Sequence, residues 1–290
     1  MIRILTDSTS DFPALEAEKL GVAVVPLQVN FGDEHYRDGI DLTAELFYEK
    51  LAAAEKLPTT SQPSPALFLT HFEMAKRAGD TVICILLSAG LSGTCQSAQI
   101  AKEEAEYDDI YIVDSKNATL AASLLVRRAL QHAAEGMSAA QIVADLEHAR
   151  EHLHLMAVVD DLKYLRKGGR LSGAAAIAGG LLGIKPVVAI NYGEKKAEGH
   201  DGKIGLAGKA RGMPGAYVAI FKLIEAVGGI DENWPIVVGY TGKRGGVEPF
   251  VRYVTQNLHL QKPLVCPIGA VIGTHAGPGA CGIAFFDAEA

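Results

Sequence analysis

The first half of the chain alternates short apolar runs with longer stretches in which apolar residues recur at helical spacing. The apolar runs predict strands or extended segments at residues 2–5, 22–25, 27–31, 81–87 and 110–113. The amphipathic stretches predict helices from about Pro13 and at residues 43–54, 95–106, 119–134 and 138–152. Strands that alternate with helices of this length indicate a parallel sheet covered on both faces.

The stretch at residues 58–65 contains three prolines. Proline has no backbone N–H and disfavours helix at the residue before it. This stretch therefore predicts a loop, with helix possible only from Ala66.

The pattern changes near residue 154, after which strands dominate. Strands are predicted at residues 155–159, 184–190, 236–240, 264–266 and 283–286, and helices at 220–227 and 247–258. The glycine-rich stretch at residues 192–212 gives only weak strand signals. We therefore predict an α/β protein of two domains, an N-terminal parallel-sheet α/β domain over residues 1–153 and a C-terminal α+β domain over residues 154–290.

Charge and composition argue against several classes of function. The formal net charge is −7 and no basic stripe with interleaved aromatics is present, so nucleic-acid binding is not expected. The first residues enter a predicted strand directly, without the pattern of a secretory signal, and no run approaches the roughly 20 apolar residues of a membrane span. The four cysteines lack metal-type spacing. We expect a cytoplasmic protein with buried reduced thiols, outside the class of integral membrane proteins.

The turn that follows the predicted strand at residues 81–87 is the strongest candidate for chemistry. It contains Ser88, Gly90, Ser92, Gly93 and Thr94, and a predicted helix follows it. A helix start has unpaired amide donors and a partial positive charge, so it attracts an anion. No lysine follows as in a phosphate-binding P-loop, which disfavours a nucleotide triphosphate. The turn favours a small anionic group such as a carboxylate.

Three other positions each allow a structural or a functional interpretation. Thr60 and Ser61 precede a predicted helix, so hydroxyls in this region can cap it or bind a ligand. Arg170 follows Lys167 and two glycines, which is typical of a helix C-terminus but also suits an anion-binding guanidinium. His275 lies among glycines, and we expect it to be either structural or an exposed imidazole beside a ligand.

Two further polar groups are interpreted as structural. Asp7, Ser8 and Asp11 are most simply a helix-entry cap at the end of the first strand. The histidines at positions 148, 152 and 154 are expected at a solvated helix end. The spacing of the first two permits metal binding, but no zincin motif surrounds them. No metal site is predicted.

Five stretches in order together resemble the DegV family over essentially the whole chain. They are Asp7-Ser-Thr-Ser-Asp11, Thr60-Ser-Gln-Pro63, Leu91-Ser-Gly-Thr94 with Gln96-Ser-Ala98, Lys167-Gly-Gly-Arg170 and Gly273-Thr-His-Ala-Gly-Pro-Gly-Ala280. The resemblance implies a two-domain α/β protein that buries a long-chain fatty acid. It also implies a subunit of a bacterial fatty acid kinase, in which a separate ATP-binding subunit phosphorylates the bound carboxylate for phospholipid synthesis.

The resemblance implies a role for individual residues as well. Thr60, Ser92 and His275 match the positions that hold the carboxylate, and the Gly93 amide adds a donor. Arg170 matches the arginine expected at the acyl phosphate, and Arg211 matches an arginine used in docking the kinase. Apart from the fatty acid, no cofactor is expected. Residues 172–183 and the helical residues 120–130 are predicted to line the acyl tunnel.

Two alternatives stay open at this point. Ser92 and His275 can serve as nucleophile and base of a stand-alone serine hydrolase or thioesterase. Against this, the chain has no Gly-x-Ser-x-Gly elbow and no evident acidic partner for His275. The other alternative is a passive fatty acid store that never meets a kinase.

Overall fold

The computed structural model describes residues 1–172, 183–190, 201–258 and 263–290. The described strands are β1 (Ile2–Asp7), β2 (Ala23–Val25), β3 (Gln28–Phe31), β4 (Glu34–Arg37), β5 (Thr59–Ser61), β6 (Thr81–Leu86), β7 (Ile110–Asp114), β8 (Leu153–Val158), β9 (Ile184–Ile190), β10 (Ile204–Arg211), β11 (Val237–Tyr240), β12 (Leu264–Pro267) and β13 (Cys281–Phe286). The described helices are α1 (Ala14–Leu20), α2 (Ala44–Ala53), α3 (Pro65–Ala78), α4 (Thr94–Ala105), α5 (Thr119–Ala134), α6 (Ala139–Ala149), α7 (Lys163–Lys167), α8 (Gly212–Ala226), α9 (Glu248–Leu258) and α10 (Ala270–Ala276).

The first sheet is parallel and follows the order β2-β1-β6-β7, as the alternating pattern predicts. Its apolar strands are buried on both faces, which explains their unbroken hydrophobic runs. One face packs against α3 and α4 through Phe68, Phe72 and small alanines. The other face packs against α5 and α6.

The second sheet is mixed, with the order β10-β9-β8-β13-β11-β12, and all of its pairs are antiparallel except β11 with β12. Helices α8 and α9 cover one face through an apolar cluster that includes Tyr217 and Phe250. Helix α5 lies against the opposite face and also contacts the first sheet. Because α5 lies between two sheets, ten of its sixteen residues are buried. The fold class predicted from the sequence, mixed α/β with a parallel first sheet, is confirmed.

A third, small antiparallel sheet of order β4-β3-β5 was not predicted. The loop expected at residues 58–65 is wrong in part, because Thr59–Ser61 forms β5 and Thr60 pairs with Val29. Prolines 58 and 63 flank this three-residue strand and leave its N–H groups intact. The β-branched Thr59 and Thr60 favour the extended backbone.

The two halves of the chain share one hydrophobic core. Leu42 and Phe47 from the first half pack in the same cluster as Val271 and Phe286 from the second. Helix α10 contacts both α2 and β3. The second sheet begins with Leu153, beside the expected domain boundary at residues 153/154. That boundary stays a prediction, since this shared core joins the segments on either side of it.

Several local expectations differ from the structure. Helix α8 begins eight residues before the predicted start at residue 220, and α10 was not predicted at all. Within the predicted weak-strand region, Ile204–Arg211 is β10, and residues 192–200 lie outside the described residues. His154 is not solvated, because it is buried on β8 and its Nε2 lies 2.8 Å from Asp287 Oδ2. All four cysteines are free and three are buried.

Candidate functional site

A cavity of about 360 Å³ lies where the second sheet, the start of α5, helix α10 and the carboxyl end of β6 meet. Its larger apolar lining residues are Leu27, Leu87, Leu91, Leu120, Leu155, Val159, Leu165, Val188, Ile190, Ile204, Ile268, Val271 and Ile272. The volume lies within the ~300–1,000 Å³ of typical small-molecule sites. An apolar lining of this kind suits a largely hydrocarbon ligand.

Polar side chains gather in one part of this cavity. Four of the six predicted site residues line it together, namely Thr60, Ser92, Arg170 and His275, and Ser61 lines it as well. Thr60 comes from β5, Ser92 from the β6–α4 turn, Arg170 from the segment that follows α7, and His275 from α10. About 215 residues of chain separate Thr60 from His275. The fold therefore brings four separate motifs to one place, and their individual roles remain a proposal.

Thr60 and His275 are joined directly. Thr60 Oγ1 lies 2.9 Å from His275 Nε2, and His275 Nδ1 is buried without a hydrogen-bond partner among the described residues. Burial and then the positive charge of Arg170 lower the pKa of His275 to about 4, so the ring is neutral at pH 7.

The tautomer of this neutral ring follows from its surroundings. A buried N–H donor without a partner is rarer than a buried acceptor without one, so we place the single ring proton on Nε2. His275 Nε2–H then donates to Thr60 Oγ1, and the Thr60 hydroxyl hydrogen is left to donate to a ligand. The expectation of an exposed imidazole is wrong, because His275 is only partly accessible and its Nδ1 is buried.

Close packing at Gly168 fixes the position of the imidazole. A Cβ added at Gly168 would lie 2.1 Å from His275 Nδ1, well inside van der Waals contact. Gly168 has φ −74°, so it is present for space and not for backbone freedom. The glycine lets the end of α7 lie flat against the ring.

Ser92 and Gly93 lie at the start of α4, in the turn that the sequence predicted. Ser92 Oγ lies 2.9 Å from Thr94 Oγ1, and the Ser92 N–H donates to the Ser88 carbonyl. Gly93 is the N-cap residue of the twelve-residue α4 and supplies no side-chain cap. The positive end of this helix therefore lies directly behind the Ser92 hydroxyl.

Arg170 is held over the same turn by backbone carbonyls. Its Nε donates to Leu91 O at 3.2 Å and its Nη1 to Gly168 O at 2.5 Å. These bonds orient the guanidinium beside the cavity without neutralising its charge. A positive group here favours an anion at the polar part of the cavity.

Two expectations about the surroundings of the site have different outcomes. Arg211 is exposed at the end of β10 and is not part of the cavity. Of the predicted tunnel-lining residues 120–130, only Leu120 faces the cavity, and most of residues 172–183 lie outside the described residues.

Sequence reasoning missed Thr119 and misassigned Asp11. Thr119 lines the cavity with φ 47°, a rare conformation for a β-branched residue, and donates its hydroxyl to Asp11 Oδ2 at 2.5 Å. Asp11 also accepts a 2.7 Å hydrogen bond from the Gly269 N–H at the start of α10. Asp11 thus links three distant segments instead of capping α1, whose N-cap residue is Pro13. Burial raises the pKa of Asp11 to about 8.

The described residues contain neither a cluster of metal-ligating side chains nor a helix able to span a membrane. Across residues 1–172, 183–190, 201–258 and 263–290, no group of three or more His, Cys, Asp or Glu side chains is arranged to hold a metal ion. In the same part of the chain, no helix has the length and apolar character needed to cross a bilayer.

The fold and the cavity define an α/β protein with an apolar ligand pocket that is polar in one part. A family model described as "Uncharacterised protein, DegV family" matches residues 1–288. A DegV domain-containing protein of Caldanaerobacter subterraneus is 34% identical over 284 residues, which is 98% of each chain. The chain therefore belongs to the DegV family, and the resemblance seen in its motifs is confirmed.

Solved structures of family members agree in fold. A fatty-acid-binding DegV family protein from Thermus thermophilus has a TM-score of 0.87 and 35% identity, covering 99% of both chains. A stearic-acid-binding protein from Eubacterium ventriosum has a TM-score of 0.87 and 29% identity, covering 99% of this chain and 98% of its own. Both similarities cover nearly the whole chain.

Proposed function

We propose that this protein binds a long-chain fatty acid in the cavity, with the carboxylate at Thr60, Ser92, His275 and the Gly93 amide. The observation that carries the proposal is a largely apolar cavity whose polar residues are gathered beside the start of α4. The two related structures named above are described as binding fatty acids, which supports the same ligand class here.

The energetics of such a ligand divide between tail and head. Each buried methylene contributes about 0.8 kcal/mol, so a tail of ~15 methylenes contributes roughly 12 kcal/mol before ordering losses. The carboxylate must still be hydrogen-bonded, because an unpaired buried charge is strongly unfavourable. The hydroxyls supply donors, and the neutral imidazole orients the Thr60 hydroxyl by donating to it, so the head group sets specificity while the tail supplies most of the affinity.

The second part of the proposal concerns turnover. The protein presents the carboxylate to a separate ATP-dependent kinase subunit, which forms an acyl phosphate used in phospholipid synthesis. Arg170 is the catalytic residue that meets the added phosphate charge, and exposed Arg211 is a docking residue for the kinase. The resemblance to the family supports these roles, and the free cysteines support a cytoplasmic location.

The geometry disfavours a serine hydrolase. His275 Nε2 bonds Thr60, and Ser92 Oγ bonds Thr94, so no serine–histidine pair is formed. Among the described residues, His275 Nδ1 has no acidic partner to orient it. A catalytic triad requires both a serine–histidine hydrogen bond and an acidic residue that orients the histidine.

Mass spectrometry of an organic extract of the purified protein tests the ligand. We expect a fatty acid at close to one equivalent, and a folded protein that neither carries nor takes up fatty acid contradicts the proposal. Treatment with a fluorophosphonate should leave Ser92 unlabelled, whereas rapid labelling would favour the hydrolase.

The variant Arg170→Ala tests the kinase role and separates a carrier from a passive store. It should keep its lipid but lose kinase-dependent acyl phosphate formation. Loss of the lipid would mean that Arg170 serves binding. If the wild-type protein forms no acyl phosphate with the kinase, it is a store.

A further inference from the structure

Gln62 connects β5 to the start of α4 across the mouth of the cavity. Its Nε2 donates to Ser97 Oγ at 2.9 Å, and Ser97 is only 2% exposed in the first turns of α4. Gln62 also lines the cavity and is exposed to solvent. This is a side-chain link between the strand that carries Thr60 and the helix that begins behind Ser92.

The same amide packs flat against Gly93. A Cβ added at Gly93 would lie 2.3 Å from Gln62 Oε1 and 2.8 Å from both Cδ and Nε2. Gly93 has φ −78° and ψ 16°, which an alanine adopts without strain. A side chain at position 93 would therefore displace the Gln62 amide.

These two contacts fix the spacing of the proposed carboxylate donors. Gln62 is two residues after Thr60, and Gly93 is the residue after Ser92. A side chain that joins these points limits how far the two hydroxyls can move apart. The Thr60 hydroxyl is also hydrogen-bonded to His275. The segment from Thr60 to Gln62 is therefore held at two points, by His275 and by Ser97.

We propose that Gln62 is a positioning residue that holds the Thr60 and Ser92 hydroxyls at the separation needed to bind one carboxylate. The inference rests on the proposed function, because it assigns the head-group selectivity of that site to a residue that is not one of the proposed carboxylate donors. Gln62 acts through Gly93 and Ser97 and need not touch the ligand itself.

The experiment measures the affinity of the delipidated protein for palmitic acid and for hexadecanol, which share a tail length but differ in head group. The ratio of the two affinities is the acid selectivity, and a general loss of folding would lower both affinities together. In Gln62→Met, which keeps the side-chain length, we expect the selectivity to fall about 3- to 10-fold, the range for one lost hydrogen bond. Ser97→Ala should give a similar fall, and the double variant no more than either alone.

Gln99→Ala is the matched control, since Gln99 is an exposed amide on the same helix and its Nε2 donates to Glu103 Oε1 on the surface. Its selectivity should equal that of the wild type. Gly93→Ala should lower the selectivity in the wild-type background, where the new Cβ displaces the Gln62 amide. In a Gln62→Ala background the same change should have no further effect.

The outcomes separate the two claims. If the wild-type protein does not bind palmitic acid, the proposed function fails. If it binds the acid selectively and Gln62→Met keeps the whole selectivity, the positioning role is overturned while the proposed function stands. An equal loss from Gly93→Ala in both backgrounds would likewise refute the contact as the reason for the glycine.

Discussion

Replacement of Thr60 by valine removes one hydroxyl at the centre of the proposed carboxylate site and keeps the branched shape of the side chain. With the His275 proton assigned to Nε2, this hydroxyl, 2.9 Å away, accepts from the ring and has its own hydrogen left for a ligand. A hydrogen bond to a charged group contributes about 1.5–3 kcal/mol, which corresponds to a loss of affinity of about 10- to 150-fold. The tail contacts are unchanged, so binding should weaken and not disappear.

The assay is a competition titration of the delipidated protein with palmitic acid and with hexadecanol. Affinity for the acid should fall by the factor given above, and affinity for the alcohol by less, because its hydrogen bond is neutral. Thr59→Val is the matched control, since Thr59 is exposed on the same strand and its side chain points to the opposite face. Unchanged acid affinity in Thr60→Val, or an equal loss in both variants, would refute the reasoning.

Three further predictions follow from buried groups near the cavity. Because the pKa of His275 is lowered to about 4, the unfolded chain takes up the proton first, and unfolding free energy should fall by about 3 kcal/mol as the pH drops from 6.5 to 4. In chemical denaturation, His275→Gln should lack this component. The pKa of Asp11 is raised from 3.8 to about 8, so the folded protein holds a proton that the unfolded chain releases, and the stability this gives is lost progressively as the pH rises from about 4 to about 8. In thermal unfolding, Asp11→Asn should lack this component of the pH dependence. Gly168→Ala should displace the His275 ring and weaken palmitic acid binding at least 10-fold in the same titration.

Each of these has its own control and contradicting result. Burial raises the pKa of Asp38 to about 6, so protonation of Asp38 stabilises the folded state over part of the same pH range. The effect of His275 is therefore measured as the difference in unfolding free energy between the wild type and His275→Gln. An identical acid profile in His275→Gln contradicts the buried neutral ring. Identical stability profiles between about pH 4 and 8 in wild type and Asp11→Asn would show that Asp11 is ionised in the folded state. Gly246→Ala, at a position with open space around it, should bind normally, and normal binding in Gly168→Ala would argue against the contact with the ring.

The sequence was sufficient for the parallel sheet and for the turn at Ser92. In both cases the pattern is local, with an unbroken apolar run for a strand buried on two faces and a glycine–hydroxyl turn before a helix. The motifs also identified Thr60, Arg170 and His275 as candidates. Their meeting in one cavity depends on contacts between segments about 215 residues apart, which no local pattern contains.

The parts that the sequence did not predict are those decided by tertiary packing. Strand β5 was not predicted because the prolines on either side of it indicate a loop. It forms by pairing with β3. Helix α10 is a short, glycine-flanked segment held at its start by Asp11. Asp11 resembles an ordinary cap in the sequence, because nothing in its neighbourhood reveals Gly269 or Thr119 as partners. Gln62 gave no signal of its own, although it lies in the same motif as Thr60.

A crystal structure of the protein with bound palmitic acid tests the central claim most directly. We expect one acid in the cavity, with carboxylate oxygens within hydrogen-bonding distance of Thr60 Oγ1 and Ser92 Oγ and the tail against the second sheet near Leu155 and Val188. A ligand bound elsewhere, or one whose carboxylate points away from both hydroxyls, would contradict the account.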